Sequence, residues 1–204
     1  MSAKQTKRIT QIKRVTGETN IALWLDLDGG GKSSIATGIP FFDHMLTLFA
    51  KHALFDLDVK VKGDLQVDFH NTVEDTGIVL GQAIARALGD KKGIVRYGNF
   101  LLPMDETLAR VALDFSGRPL LVWRAPKGMN LNRLKAGDFP AQLMVEFLRA
   151  FAQEAGLTLH VEVLYSSETH HLIEAVFKGV ARALEQAVRR DPRVIGIPST
   201  KGML

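Results

Sequence analysis

The sequence has no cysteine, only two tryptophans and two tyrosines. Without cysteine there can be no disulfide, no thiolate nucleophile and no sulfur-ligated zinc or iron–sulfur site. It also lacks any apolar run near the roughly 18 residues of a membrane-spanning helix. The opening MSAKQTKRIT is polar where a signal peptide would be apolar, so a cytoplasmic protein without a membrane partner is expected. Excess charge is scarce as well, a net +4 over 204 residues. Lys4, Lys7, Arg8, Lys13 and Arg14 all precede the first acidic residue; without these five, 21 basic residues face 22 acidic ones, a net of −1. The excess reads as a basic N-terminal arm on a neutral body, which gives no footing for pooled phosphate-backbone contacts, and no nucleic-acid partner is expected. The chain as a whole, 46% apolar and 24% charged, has the composition of a globular protein long enough for a proper core.

The chain is written twice. ETNIALWLDLDG from Glu18 is echoed by ETLARVALDFSG from Glu106 at an offset of 88. LFAKHALFDLDVKV (48–61) meets AFAQEAGLTLHVEV (150–163) at an offset of 102, and His70-x-x-x-Glu74 meets His170-x-x-x-Glu174 at 100. ARAL occurs at 85–88 and again at 181–184. Alternation in IALWLDL and LDVKVKGDLQVDF predicts strands, the triplet Gly29–Gly31 a hairpin turn into a strand at 33–37, and Pro40 the start of a helix through FFDHMLTLFAKH. Val73, Gly77, Leu80, Ile84 and Leu88 form a helical stripe. The second half repeats the plan, with strands near 107–115, 119–125 and 157–164 and helices near 140–155 and 170–189. The expected fold is α+β: two duplicated ββαβα half-domains, 1–92 and 93–204, in one compact unit with sheets on one side and helices on the other. LPMDE (102–106) reads as the loop joining the halves, and 128–138 as the most loop-like insertion.

Histidine and glutamate spacing carries the chemistry. In each HxxxE pair the side chains stand one helical turn apart on one face, where an imidazole and a carboxylate can grip one divalent ion. One such pair alone is more often a surface contact; its recurrence at equivalent positions in both halves favours the metal. His171, turned about 100° from His170, suits a second ion. His44 lies on the preceding helix, and Glu146 occupies the duplicate position. Nitrogen and oxygen donors without sulfur suit Mn2+, Fe2+ or Zn2+. His52 is either a supporting or substrate residue or a packed helix residue, and His160 is structural. Met45, Met144, Phe41, Phe42 and Phe49 belong to the core. Arg96, Arg118, Lys178, Ser199, Thr200 and Lys201 are cations or hydroxyls near turns and helix ends, and each is a candidate anion contact.

GIPFFDHML, HNTVEDTGIVLG, SSETHHLIEAVFKGVARAL and PSTKGML together resemble the imidazoleglycerol-phosphate dehydratase family, from Glu18 to Lys201. The resemblance implies half-domains like the second domain of ribosomal protein S5 and a homo-oligomer of 24 subunits with active sites at subunit interfaces. It also implies two Mn2+ per site binding the substrate imidazole. Implied ligands are His44, His70, Glu74, His170, His171 and Glu174, with Glu146 where relatives have histidine or glutamate. Asn71 stands where the family usually has a second consecutive histidine, and an amide oxygen is the weaker donor. Glu18 matches the acid–base glutamate, with His44 and Glu174 also placed in the catalytic centre. Glu18, His52, Arg96, Arg118, Lys178, Ser199, Thr200 and Lys201 match substrate-binding positions, several of them for its phosphate. The implied reaction is dehydration of D-erythro-imidazole glycerol phosphate to imidazole acetol phosphate in L-histidine biosynthesis. An RNA-binding module or a metal-storage shell are the rival classes; the first lacks a basic face and the second leaves Glu18 and the spaced cations without a role.

Overall fold

The computed structural model describes residues 7–204. In the first half, β1 (Ile9–Val15), β2 (Thr19–Asp26) and β3 (Ser33–Ala36) precede helix α1 (Pro40–Ala53), β4 (Asp56–Gly63) and helix α2 (His70–Leu88). The second half runs β5 (Tyr97–Met104), β6 (Thr107–Asp114), β7 (Leu120–Arg124), a small ribbon of β8 (Lys135–Ala136) and β9 (Phe139–Pro140), α3 (Gln142–Ala155), β10 (Thr158–Tyr165) and α4 (Thr169–Val188). Two four-stranded sheets result, ordered β1-β2-β4-β3 and β5-β6-β10-β7, so the duplication holds in topology as well as in sequence.

The central strands follow their alternation. Thr19, Ile21, Leu23 and Leu25 point into the core from β2, as Thr107, Ala109, Val111 and Leu113 do from β6. Pro40 opens α1 at a position that needs no N–H, and Leu54 closes it in the left-handed conformation. The Glu168 carboxylate caps α4 by accepting from the His171 N–H at 2.7 Å. Within each half the sheet lies on one side and its helices on the other. The two helix layers then face each other, α1 against α4 and α2 against α3, giving the order sheet, helices, helices, sheet. Phe42, Phe49, Phe147, Phe151 and Phe177 are fully buried in this middle layer. Gly77 and Gly81 let α2 and α3 cross at close range: a Cβ on Gly81 would lie 2.6 Å from the Phe151 carbonyl oxygen.

Four sequence expectations are corrected. The glycine triplet is not a hairpin turn, because β3 pairs in parallel with β4 and does not touch β2. The triplet instead wraps the Asp56 carboxylate, which accepts the N–H groups of Gly30 at 2.8 Å and Lys32 at 2.9 Å and titrates below its ordinary value as a result. LPMDE is not the junction between halves; its first three residues end β5, and Asp105 and Glu106 form the tight turn into β6. The basic N-terminal residues, so far as they are described, are not a free arm. Residues 9–15 are an edge strand, Arg8 is buried on Asp28 and the Val188 carbonyl, and Arg14 pairs with Asp75; Lys4 lies outside the described residues. The ββαβα plan also omits one strand per half, β1 and β5. No helix among the described residues is long and apolar enough to cross a membrane.

Candidate metal and anion sites

Because α1 packs on α4, His44 of the first half meets His170 and Glu174 of the second. His44 Nε2 is 3.6 Å and His170 Nε2 3.2 Å from Glu174 Oε2, and all three donors lie within one ion's reach. Glu174 is only 6% exposed. Burial pushes its carboxyl up, but contact of Oε1 with the Lys178 ammonium, the His170 hydrogen bond and the His44 charge outweigh that and hold it below its ordinary value. Phe41 stands edge-on to the His170 ring at 5.1 Å and fixes its orientation. His52 lies farther along α1, where its carbonyl accepts from Arg182 of α4 at 3.4 Å. Burial, then the charges of Lys178 and Arg182, press its imidazole toward the neutral form. These polar groups lie along one edge of the α1–α4 seam, beside the buried Phe42 and Phe177.

His171 is turned away from that cluster. Its Nδ1 is 3.0 Å from Glu106 Oε2, and Asp105 completes a second group of donors at the β5–β6 turn. The Glu106 carboxylate raises the pKa of this imidazole. Composition and motif spacing did not single out Asp105 or Glu106, although the offset of 88 that aligns Glu106 with Glu18 was the available signal.

A third place is the start of α2, where His70 Nε2 lies 3.4 Å from Glu74 Oε2 with both side chains nearly half exposed. Asn71 makes no side-chain hydrogen bond among the described residues. Glu146 is engaged along its own helix by Gln142 at 2.7 Å and by Arg149, outside both three-donor clusters. Glu18 is exposed on the β1–β2 turn. His160 is exposed on β10 beside Arg110 and Arg124, so the structural role expected for it is not one of core packing.

The remaining cations converge. Arg96, Arg118, Ser199, Thr200 and Lys201 line one cleft of about 560 Å³ at the C-terminal segment. Arg96 grips Asp114 with Nε at 2.6 Å and Nη2 at 3.0 Å, and donates from Nη1 to the Pro198 carbonyl at 2.8 Å. It therefore pins the C-terminal segment over the cleft, and Arg8, its duplicate, does the corresponding work on Asp28 and Val188. Arg118 and Lys201 have no ion pair among the described residues and keep their charge free for an anion. Lys178 lies elsewhere, on Glu174.

The family described as imidazoleglycerol-phosphate dehydratase matches residues 37–184. The imidazoleglycerol-phosphate dehydratase of Acetivibrio thermocellus is 60% identical over 194 residues, covering 95% of this chain and 97% of the relative. That of Azorhizobium caulinodans is 60% identical over 198 residues, covering 97% and 98%. Among solved structures, the Staphylococcus aureus enzyme superposes with a TM-score of 0.79 at 40% identity, over 90% of this chain and 99% of that one. The Pyrococcus furiosus enzyme, solved in complex with (S)-C348, gives 0.77 at 36% over 95% and 100%. A chain with this duplicated fold, these His/Glu helices and likeness over nearly its whole length belongs to the imidazoleglycerol-phosphate dehydratase family of lyases.

Proposed function

We propose that this chain dehydrates D-erythro-imidazole glycerol phosphate to imidazole acetol phosphate in L-histidine biosynthesis, in the cytoplasm, using Mn2+ held by its His/Glu helices. The observation that carries the reading is the buried Glu174 carboxylate with His44 and His170 around it. A carboxylate kept ionised between two imidazoles is a donor set suited to a divalent ion of intermediate hardness. The residues fit such an ion: His44, His170 and Glu174 would hold one, and His171, Glu74 and His70 a second, with Asn71 and Glu146 in supporting places. When bound, such ions supply Lewis acidity toward the substrate's imidazole, easing loss of the ring proton.

The chain's own residues do the rest. Glu18 accepts the proton from the carbon next to the one that bears the departing hydroxyl and delivers a proton to that hydroxyl, so that the C–O bond breaks and water leaves. The enol formed then takes up a proton on the ring-side carbon and releases its O–H proton to water, becoming the ketone of the product. Arg118 and Lys201, with the Ser199 and Thr200 hydroxyls, hold the phosphate in the cleft that Arg96 and Asp114 shape. His52, kept neutral by its surroundings, lines the seam without adding charge.

The halves, taken as 1–92 and 93–204, form one catalytic unit, and the unit works as a homo-oligomer of 24 subunits. What supports assembly is the dispersal of the parts. His44/His170/Glu174, His171/Glu106, His70/Glu74, Glu18 and the anion cleft occupy different places on one chain, and no cluster among the described residues offers the six donors of an octahedral ion. Neighbouring copies supply the remainder. Glu18→Gln tests the proton role: turnover of imidazole glycerol phosphate falls by about two orders of magnitude or more while metal content stays unchanged. Near-normal turnover would remove Glu18 from the mechanism.

A further inference from the structure

Glu18 presents an exposed carboxylate that makes no hydrogen bond or ion pair among the described residues, yet its backbone is held on every side. The Thr16 hydroxyl accepts the N–H groups of Glu18 at 3.2 Å and Thr19 at 2.9 Å. The Glu18 carbonyl accepts from the Asp64 N–H at 3.2 Å. The next side chain, Thr19, is 2% exposed and donates its hydroxyl to Asp75 Oδ2 in the first turns of α2. Asp75 is itself 9% exposed, and Arg14 of β1 lies against the same oxygen at 2.5 Å.

The duplication supplies an internal control. At an offset of 88, Arg14 corresponds to Leu102, Thr16 to Met104 and Thr19 to Thr107, and the strand pairing agrees, since Arg14 faces Ile21 and Leu102 faces Ala109. At the offset of 100 for the metal helix, Asp75 corresponds to Ala175. The second half thus has no charged anchor beneath its turn. There Thr107 turns to the Ser166 hydroxyl at 2.7 Å, and the Glu106 side chain is taken up by His171. A buried carboxylate paired with a partly buried arginine costs desolvation that an apolar pair such as Leu102 and Ala175 avoids, so their presence in only one half calls for a local purpose.

We infer that Asp75, with Thr19, Thr16 and Arg14, is a positioning device that locks the Glu18 turn to helix α2, fixing the acid–base carboxylate relative to His70 and Glu74. The inference rests on the proposed role of Glu18. One anchor joins the group that moves the proton to the helix that carries the donors, because Thr19 adjoins Glu18 in sequence and Asp75 adjoins Glu74. A carboxylate displaced by about an ångström loses on the order of a hundredfold in rate.

The test uses the assembled, metal-loaded enzyme and its variants. Thr19→Val lowers kcat about tenfold to a hundredfold, with KM, metal content and subunit number unchanged, and Thr19→Ser, which keeps the hydroxyl, restores it. The double variant Glu18→Gln/Thr19→Val is no slower than Glu18→Gln alone, because the anchor acts only through Glu18. A Thr19→Val kcat within twofold of the parent overturns the inference while leaving Glu18 in place. So does a double variant slowed by the full Thr19→Val factor. Near-normal turnover of Glu18→Gln overturns the role of Glu18 and the inference with it. If Thr19→Val does not assemble, Thr16→Ala at the exposed end of the same turn is read by the same criteria.

Discussion

Replacing Lys178 with methionine removes one charge from the α1–α4 seam and keeps the methylene stem. The Lys178 ammonium rests on Glu174 Oε1, with side-chain exposures of 17% and 8%. At an effective dielectric near 20, a contact at about 3 Å has a gross attraction of roughly 5 kcal/mol. Breaking a fully buried pair typically costs about 3–5 kcal/mol, because the surviving charge is stranded. Here the stranded carboxylate keeps the His170 imidazole at 3.2 Å and the His44 imidazole at 3.6 Å as polar neighbours. The expected loss is therefore about 2–3 kcal/mol, or roughly 5–10 °C in Tm for a chain of this size. The sign with pH is fixed. Glu174 titrates below its ordinary value in the folded chain, so its contribution is complete above the ordinary carboxylate range and drains away as pH falls through the folded value. Thermal melts of chelator-treated parent and Lys178→Met at equal concentration show the full gap at about pH 7 and a gap that shrinks progressively as pH is lowered through and below the ordinary carboxylate range. Saturating Mn2+ at neutral pH narrows the gap, since the ion gives the carboxylate another positive partner. Equal melting at neutral pH, or a gap undiminished in acid, would refute the reasoning.

Gly81→Ala gains about 1 kcal/mol of helix propensity but pushes a Cβ to 2.6 Å from the Phe151 carbonyl and 2.8 Å from Glu154 Cβ. Overpacking of about 1–3 kcal/mol prevails, and the variant melts a few degrees lower; an unchanged or raised Tm contradicts the close α2–α3 crossing. Asn71→His adds a stronger donor beside His70 and Glu74, so the variant retains more metal under chelator competition. Equal retention would show that position 71 does not reach the ion.

The duplicated pattern made the α+β class, all four helices and the central strands legible, because each has a strong period and each period occurs twice. β1 and β5 were missed for a physical reason. β1 is an edge strand that buries a single apolar side chain, Ile12, while Arg14 turns inward, so its alternation is faint. The glycine triplet was misread because a turn signal shows only that the chain bends, and β3's partner is decided after α1, by parallel pairing with β4. At the site, HxxxE spacing correctly paired His70 with Glu74 and His170 with Glu174. It could not show that His44 crosses to the other half's helix, since the packing of α1 on α4 is set by the core between the layers and leaves no local trace. The meeting of Arg118 with Ser199, Thr200 and Lys201 is likewise invisible in sequence, because the Arg96 bond to the Pro198 carbonyl brings the C-terminal segment back across about a hundred residues.

A lyase of this kind depends for turnover on the divalent ion that its His/Glu helices hold. The most direct test of that dependence measures product formation from imidazole glycerol phosphate against bound metal, from fully stripped protein through stepwise return of Mn2+. The expected result is no turnover in the stripped protein, recovery in proportion to metal bound, and no recovery in His170→Ala at the same total Mn2+. Full turnover by protein shown by elemental analysis to be metal-free would contradict it.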